Sequence, residues 1–277
     1  AQVLTEEHTA ATFCGFCGSP TLVEERLTGE KRPAMLIPFK IDKVQAIEKF
    51  RMWTKKGPLT PAAFHSEAAM EKITGMYVPF WLYDYYANVQ LNVHATRVRS
   101  SRRGDTEYIY TDHFNVMRDV EAEYEKVPED ASEKMPDDIM EMLEPYNYSD
   151  LVSFEMPYLS GFLAEKYNFT KDQLKNQVER RVRSFARDSA LNTIHGYATT
   201  NVIGEHTNLT SKEVTYVMMP VWMLNYTYRG KRYMLTMNGQ TGKMVGKLPI
   251  SLGRTVAWFG GIFVTVFLIL SLIGGIL

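Results

Sequence analysis

The longest apolar run of the chain lies at its C-terminal end. Residues 255–277 include no charged side chain. A helix of about 23 residues extends roughly 34 Å, which exceeds the ~30 Å hydrocarbon core of a bilayer. Trp258 and Phe259 lie near its first end, where aromatic side chains meet lipid headgroups. The pattern predicts one transmembrane helix, because a core helix of this length normally keeps a polar face.

The charges around this run predict its orientation. Lys243, Lys247 and Arg254 precede the run, and no basic residue follows it. Basic residues flank membrane helices on the cytoplasmic side. We therefore predict a single-pass protein of the cell membrane, with the large N-terminal body in the cytoplasm. The opposite interpretation, an exported body, would be favoured by four Asn-x-Ser/Thr sequons at Asn147, Asn168, Asn208 and Asn225.

Upstream of the anchor, helical and strand-like patterns alternate. Residues 42–53 predict a helix with Asp42 as its N-cap and an apolar side of Val44, Ile47 and Trp53. Aromatic and β-branched residues predict strands over 76–100, 108–127 and 213–239. The segment 171–194 predicts the longest amphipathic helix of the body. Its expected apolar face consists of Leu174, Val178, Val182, Phe185 and Ser189.

A short pattern recurs in the two strand-rich regions. Pro79-x-Trp81 and Pro220-x-Trp222 each open an aromatic strand after a helix. This recurrence favours two related units, each a helix with an antiparallel sheet. We therefore predict an α+β fold with a partial zinc ribbon and one C-terminal transmembrane helix. The predicted segments are the ribbon (1–32), a first α+β unit (33–127), an acidic linker with a short helix (128–153), a second α+β unit (154–250) and the membrane helix (255–277).

Charge and composition narrow the classes of partner. With 31 Lys and Arg against 32 Asp and Glu, the chain as a whole does not attract a polyanion. Two arginine groups and one acidic run (121–138) could bind nucleic acid, anionic lipid or a cation, but such runs are more often solvated surface. Nucleic acid is therefore not the expected partner. The arginine groups are Arg97, Arg99, Arg102 and Arg103, and Arg180, Arg181, Arg183 and Arg187.

Cys14 and Cys17 are the two cysteines of the chain, and they form a C-x-x-C pair. The glycines and proline that follow suit a zinc knuckle better than the helix N-terminus of a redox motif. A structural zinc ion takes four ligands, so we predict that the other two come from residues upstream of Ala1, with His8 a weaker candidate. A thiol oxidoreductase and a tethered nucleic-acid-binding ribbon are the alternative functions. Neither the histidines nor any serine follow a catalytic spacing, so an enzyme is not expected, although His94 and His113 could face each other across a hairpin.

The chain resembles a bacterial family of membrane-anchored zinc-ribbon proteins. The resemblance rests on residues 9–42, 75–84, 217–225 and 234–250 and on the terminal apolar run. It implies two zinc-binding C-x-x-C knuckles, of which only the second is present here. It also implies a non-enzymatic adaptor that recruits a flotillin-like or phage-shock membrane-stress protein to the membrane. Family members are often labelled primosomal-helicase-like, but the chain has no phosphate-binding Gly-x-x-x-x-Gly-Lys-Ser/Thr loop.

Overall fold

A computed structural model describes residues 9–13, 20–22 and 32–274 of the chain. Within them, strands and helices alternate, and three of the strands are long. The strands are β1 (Thr9–Phe13), β2 (Pro20–Leu22), β3 (Met35–Leu36), β4 (Thr74–Arg103), β5 (Thr106–Asp130), β6 (Val152–Ser153), β7 (Leu163–Glu165), β8 (Thr199–Tyr228), β9 (Lys231–Asn238) and β10 (Met244–Gly246). The helices are α1 (Lys43–Lys55), α2 (Glu67–Met70), α3 (Asp137–Leu143), α4 (Lys171–Leu191) and α5 (Leu252–Gly274).

The described strands form one large mixed sheet. Its main path runs β10-β9-β8-β4-β7-β1-β2, while β5 pairs with β4 and β3 pairs with β6 and β8. Most neighbours are antiparallel, but β3–β8 and β4–β7 are parallel pairs. The parallel pairs are short, and each joins a strand of two or three residues to one of the long strands.

The predicted fold class is therefore wrong in two respects. First, the strands do not form two separate antiparallel sheets, because the long strands β4 and β8 belong to one mixed sheet. Second, β1 and β2 are not an independent small ribbon, because β1 pairs with β2 on one side and with β7 on the other. Backbone hydrogen bonds thus join the first described residues to the large sheet. The predicted C-terminal apolar helix is present as α5.

The contacts divide the chain into two units that are discontinuous in sequence. Unit 1 comprises residues 1–79, 132–168 and 217–277. Unit 2 comprises residues 80–131 and 169–216. The divisions after 79 and before 217 fall inside β4 and β8, so each long strand contributes residues to both units.

In unit 1, α1 packs on the β8–β9 hairpin. The helix begins at a capping box in which the Asp42 carboxylate accepts from the backbone N–H of Gln45 and the Gln45 side chain accepts from the backbone N–H of Asp42. Its buried residues are Ala46, Phe50 and Thr54, which recur every four residues. Ala46 and Phe50 belong to an apolar cluster that includes Leu224, Leu235 and Met237 of the hairpin.

In unit 2, α4 packs on the β4–β5 hairpin. A second capping box begins the helix, with Thr170 as the N-cap and Gln173 as its partner. The buried face is Val178, Val182, Ala186 and Ala190. The last two small side chains lie in a cluster with alternate residues of β4, namely Ala87, Val89, Leu91, Val93 and Ala95.

The two Pro-x-Trp segments make the same kind of contact in their own units. In unit 2, the indole N–H of Trp81 donates to the carbonyl of Phe169 over 2.9 Å, and Phe169 directly precedes the N-cap of α4. In unit 1, the indole N–H of Trp222 donates to the carbonyl of Ile41 over 2.9 Å, and Ile41 directly precedes the N-cap of α1. Each tryptophan therefore fixes the start of a helix to a long strand.

Candidate membrane-contact region

The helix α5 is long and apolar enough to span a membrane as a single pass. The most apolar 18 residues within Leu252–Ile273 have a mean hydropathy of 2.5, and none of this stretch is buried in the protein. At about 1.5 Å per residue the 22 residues of Leu252–Ile273 extend about 33 Å, which matches a ~30 Å hydrocarbon core. An apolar helix that the body leaves uncovered needs another apolar environment, because its exposed surface is far larger than soluble proteins tolerate.

Hydrogen bonds fix the beginning of α5 to the folded body of unit 1. The backbone N–H of Ser251 donates to the carbonyl of Leu59 over 2.9 Å. The Arg254 guanidinium donates to the carbonyl of Thr60 over 2.7 Å. Both acceptors lie in the loop that follows α1, so the start of α5 has a defined position against this loop.

The same end of unit 1 contains the tip of the β8–β9 hairpin. Phe64 follows the loop and is fully buried. Its ring centroid lies 6.1 Å from that of Tyr228 and 5.9 Å from that of Tyr233. Tyr228 pairs with Lys231 across the tip. Leu248, which precedes α5, joins the same apolar cluster. The hairpin tip, the end of α1 and the start of α5 therefore meet around Phe64.

Seven exposed basic residues lie at this end and form what we call the juxtamembrane basic cluster. They come from three stretches that are far apart in sequence: the end of α1, the hairpin tip and the segment that leads into α5. No residue from 214 to 277 is Asp or Glu, so the last two stretches have no acidic neighbours in sequence. The cluster consists of Lys55, Lys56, Arg229, Lys231, Arg232, Lys247 and Arg254.

Of the three basic residues predicted to flank the anchor, two belong to this cluster and one does not. Lys247 and Arg254 lie beside the start of α5. Lys243 lies beyond the opposite end of β9, where its ammonium group donates to the carbonyl of Glu144. The structure thus removes one basic residue from the surroundings of the start of α5 and adds five that sequence proximity does not reveal.

A cavity of about 630 Å³ lies elsewhere in unit 1, where α1 begins. Phe39 and Phe162 stack in its wall with ring centroids 4.1 Å apart. The Lys40 ammonium binds Asp150 over 2.6 Å and holds the pKa of that carboxyl below its ordinary value. The cavity combines an aromatic wall with charged side chains from α1 and the residues before β4, but its lining shows no arrangement that assigns a reaction.

Several of the arginines that the sequence analysis considered for nucleic acid or anionic lipid make contacts within the protein instead. Arg97 donates to the carbonyl of Gly196 and lies over the rings of Phe114 and Tyr197. Arg99 forms an ion pair with Asp112.

On α4, Arg183 donates to the carbonyl of Thr207, and Arg187 pairs with Glu205. These contacts occupy donors of the arginines within the protein, whereas the sequence predicted a solvated face; that nucleic acid is not the partner stays a prediction.

The acidic run is only partly the surface linker that the sequence suggests. Strand β5 continues to Asp130, so the first part of the predicted linker is a strand. Glu129 is 4% exposed, and its carboxylate accepts from Arg181 over 2.9 Å and from Gln177 over 2.6 Å.

The prediction that His94 and His113 could face each other is confirmed, with 3.1 Å between Nε2 of His94 and Nδ1 of His113.

The prediction of a zinc-binding protein is corrected. Over residues 9–13, 20–22 and 32–274, no group of three or more His, Cys, Asp or Glu side chains is placed to hold a metal ion. The chain has two cysteines, which cannot by themselves complete a four-ligand structural site. Cys14, Cys17 and His8 lie outside the described residues.

Comparison with known proteins gives one informative similarity. The chain is 44% identical to the uncharacterized protein YdjG of Bacillus subtilis (strain 168) over 252 residues, which cover 91% of this chain and 74% of YdjG. The chain belongs to the YdjG family. No family model matches the chain. No solved structure matches it either.

The similarity to YdjG covers nearly the whole chain, but YdjG is itself uncharacterized and so indicates no activity or partner. The region that sequence reasoning missed is the basic cluster. One signal could have pointed to it, namely that the last acidic residue is Glu213 while six Lys or Arg residues follow. The contribution of Lys55 and Lys56 requires the fold, because only the loop contacts bring α1 to the start of α5.

Proposed function

We propose that this chain is a non-enzymatic, single-pass adaptor of the cell membrane whose folded body lies in the cytoplasm. The observation that carries the proposal is the exposed apolar helix α5, whose start is hydrogen-bonded to the body at Leu59 and Thr60. Such a fixed junction holds the body close to the bilayer surface. A body held there can present a protein-binding surface to partners that act at membranes.

The cytoplasmic orientation is supported by the basic cluster at the base of the anchor. Lysine and arginine beside a membrane helix favour retention of that side in the cytoplasm. Within residues 255–277 no side chain is acidic or basic, so the charges that the chain shows beside α5 are those at its start. The resemblance of the chain points to a flotillin-like or phage-shock membrane-stress protein as the partner.

Recruitment to vesicles tests the proposed function. The full chain is reconstituted into phosphatidylcholine vesicles, and a purified flotillin-like protein or phage-shock protein is added before flotation through a density gradient. We expect one of them to float with vesicles that carry the chain and to remain at the bottom with empty vesicles.

Proteolytic removal of the exposed body from the same vesicles is the matched control, and it should abolish recruitment. If neither protein floats with intact chain-bearing vesicles, the proposed partner class is wrong. If either protein floats equally with empty vesicles, the chain is not its adaptor.

A further inference from the structure

The seven side chains of the juxtamembrane basic cluster have no acidic partner in the part of the chain that the structure describes. In this they differ from Arg99, Arg181 and Arg187, each of which pairs with a carboxylate. All seven are exposed, so their charges face solvent rather than the core. The cluster is therefore a concentrated positive surface in a chain whose formal net charge is -1.

This positive surface adjoins the apolar anchor. Arg254 lies in the first turn of α5 and Lys247 shortly before it, while Tyr228 and Phe64 connect the hairpin tip to the same place. The N-terminus of a helix carries a partial positive charge, which adds to the basic side chains at this level. Trp258 follows one turn later with 49% of its side chain exposed, as is usual for residues at the headgroup boundary.

We propose that the juxtamembrane basic cluster binds the phosphate headgroups of anionic phospholipids in the leaflet where α5 enters. The inference rests on the proposed membrane anchoring, since α5 sets the depth at which the cluster meets the bilayer. Anionic headgroups present their phosphates at this depth, and the anchor supplies them at high local concentration. The juxtamembrane basic cluster thus selects anionic lipids and holds the body against the membrane surface.

A nucleic acid would need the same charges, but it has no apolar part to meet the exposed start of α5. The residues beside the cluster are apolar, with Ile250 and Leu252 both more than half exposed. Basic side chains next to exposed aliphatic and aromatic ones match the two layers of a lipid molecule. A lipid surface therefore fits the whole region, whereas a polyanion fits only the charged part.

Quenching of Trp258 by brominated lipids measures this selectivity in the intact protein. Trp258 is the one tryptophan of α5. The full chain is reconstituted in mixtures of phosphatidylcholine and phosphatidylglycerol in which either lipid is brominated, and the relative binding constant is taken from the quenching. We expect a clear preference for phosphatidylglycerol that weakens as salt is added, because exposed charges are screened.

The pair Lys231→Gln and Arg232→Gln, both at the hairpin tip, is the test variant. One basic side chain near an anionic leaflet contributes a factor of about five, so the preference should fall at least about fivefold. Lys55→Gln with Lys56→Gln is an independent second pair. Lys43→Gln with Lys243→Gln removes equal charge from the same unit, at the far ends of α1 and β9, and should leave the preference unchanged.

Three outcomes would overturn the inference: no preference for phosphatidylglycerol in the natural chain, no loss in either test pair, or an equal loss in the control pair. Equal competition of short nucleic acid with the lipid would replace the lipid by a polyanion as the ligand. Quenching of Trp258 in pure brominated phosphatidylcholine reports anchoring separately. The experiment can therefore disprove the lipid selectivity of the basic cluster while it confirms that α5 is inserted in the membrane. Thermal melting of each variant confirms that it is folded.

Discussion

At the scale of single residues, buried charge explains why one part of the acidic run is structural. Glu129 lies at the end of β5 with its carboxylate held by Arg181 and Gln177 of α4. Taking a carboxylate out of water is costly unless a cation and hydrogen bonds compensate. From sequence, Glu129 could not be distinguished from the other acidic residues around it, because its burial depends on contact with a helix far along the chain. Sequence alone likewise does not distinguish Arg181 from the neighbouring arginines of α4.

Replacement of Arg181 by glutamine should therefore destabilise the protein strongly. It leaves the Glu129 carboxylate buried without its cation, and such losses cost about 3 kcal/mol or more. Arg180→Gln is the matched control, since Arg180 is the preceding residue of the same helix and is exposed. Chemical denaturation of both variants in detergent measures the difference. If both lose the same stability, the buried ion pair does not have the role assigned to it.

At the scale of elements, helix positions could be predicted from sequence but the buried faces only in part. The capping residue Asp42 agrees with the sequence prediction because capping is a local interaction, and α1 ends at Lys55, close to the predicted end at residue 53. The face of α1 differs, since Val44 is 76% exposed while Ala46 is buried. On α4, Phe185 is likewise 43% exposed.

The reason is the same in both helices. A reading based on large apolar side chains misses small residues that let a helix approach a hairpin closely. In α4, Ala186 and Ala190 are buried, whereas the expected face contained the residues one position before them, Phe185 and Ser189. Small side chains therefore contribute to the buried face of each helix, and the space available to them is known only once the hairpin is in place.

A larger side chain at Ala186 should accordingly be harmful. Ala186→Leu inserts three carbon atoms between α4 and the β4–β5 hairpin, where the residue is 1% exposed. Overpacking of this kind costs about 1–3 kcal/mol. Phe185→Leu, at the exposed neighbouring position, should cost less. Thermal unfolding compares the two variants, and an equal or smaller loss for Ala186→Leu would show that the interface has room to spare.

At the scale of the whole molecule, the topology could not be read from local patterns. The long strands β4 and β8 begin in one unit and continue into the other, so both units are assembled from separated segments. Sequence patterns indicate that strands exist, but they do not indicate which strands pair. The terminal helix is the opposite case, because its prediction needs only length and apolarity, and α5 agrees with it.

Vesicle flotation of the full chain tests directly whether α5 anchors the protein in a membrane, with a charged variant of α5 as its control. In Val264→Lys with Leu268→Lys, two charges lie one turn apart near the middle of the helix, and each costs about 3 kcal/mol in a bilayer. We expect the natural chain to float with vesicles and to resist carbonate extraction, whereas the variant should remain in solution with its body folded. A natural chain that stays soluble without detergent, or a variant that inserts equally well, would show that α5 is not a membrane anchor.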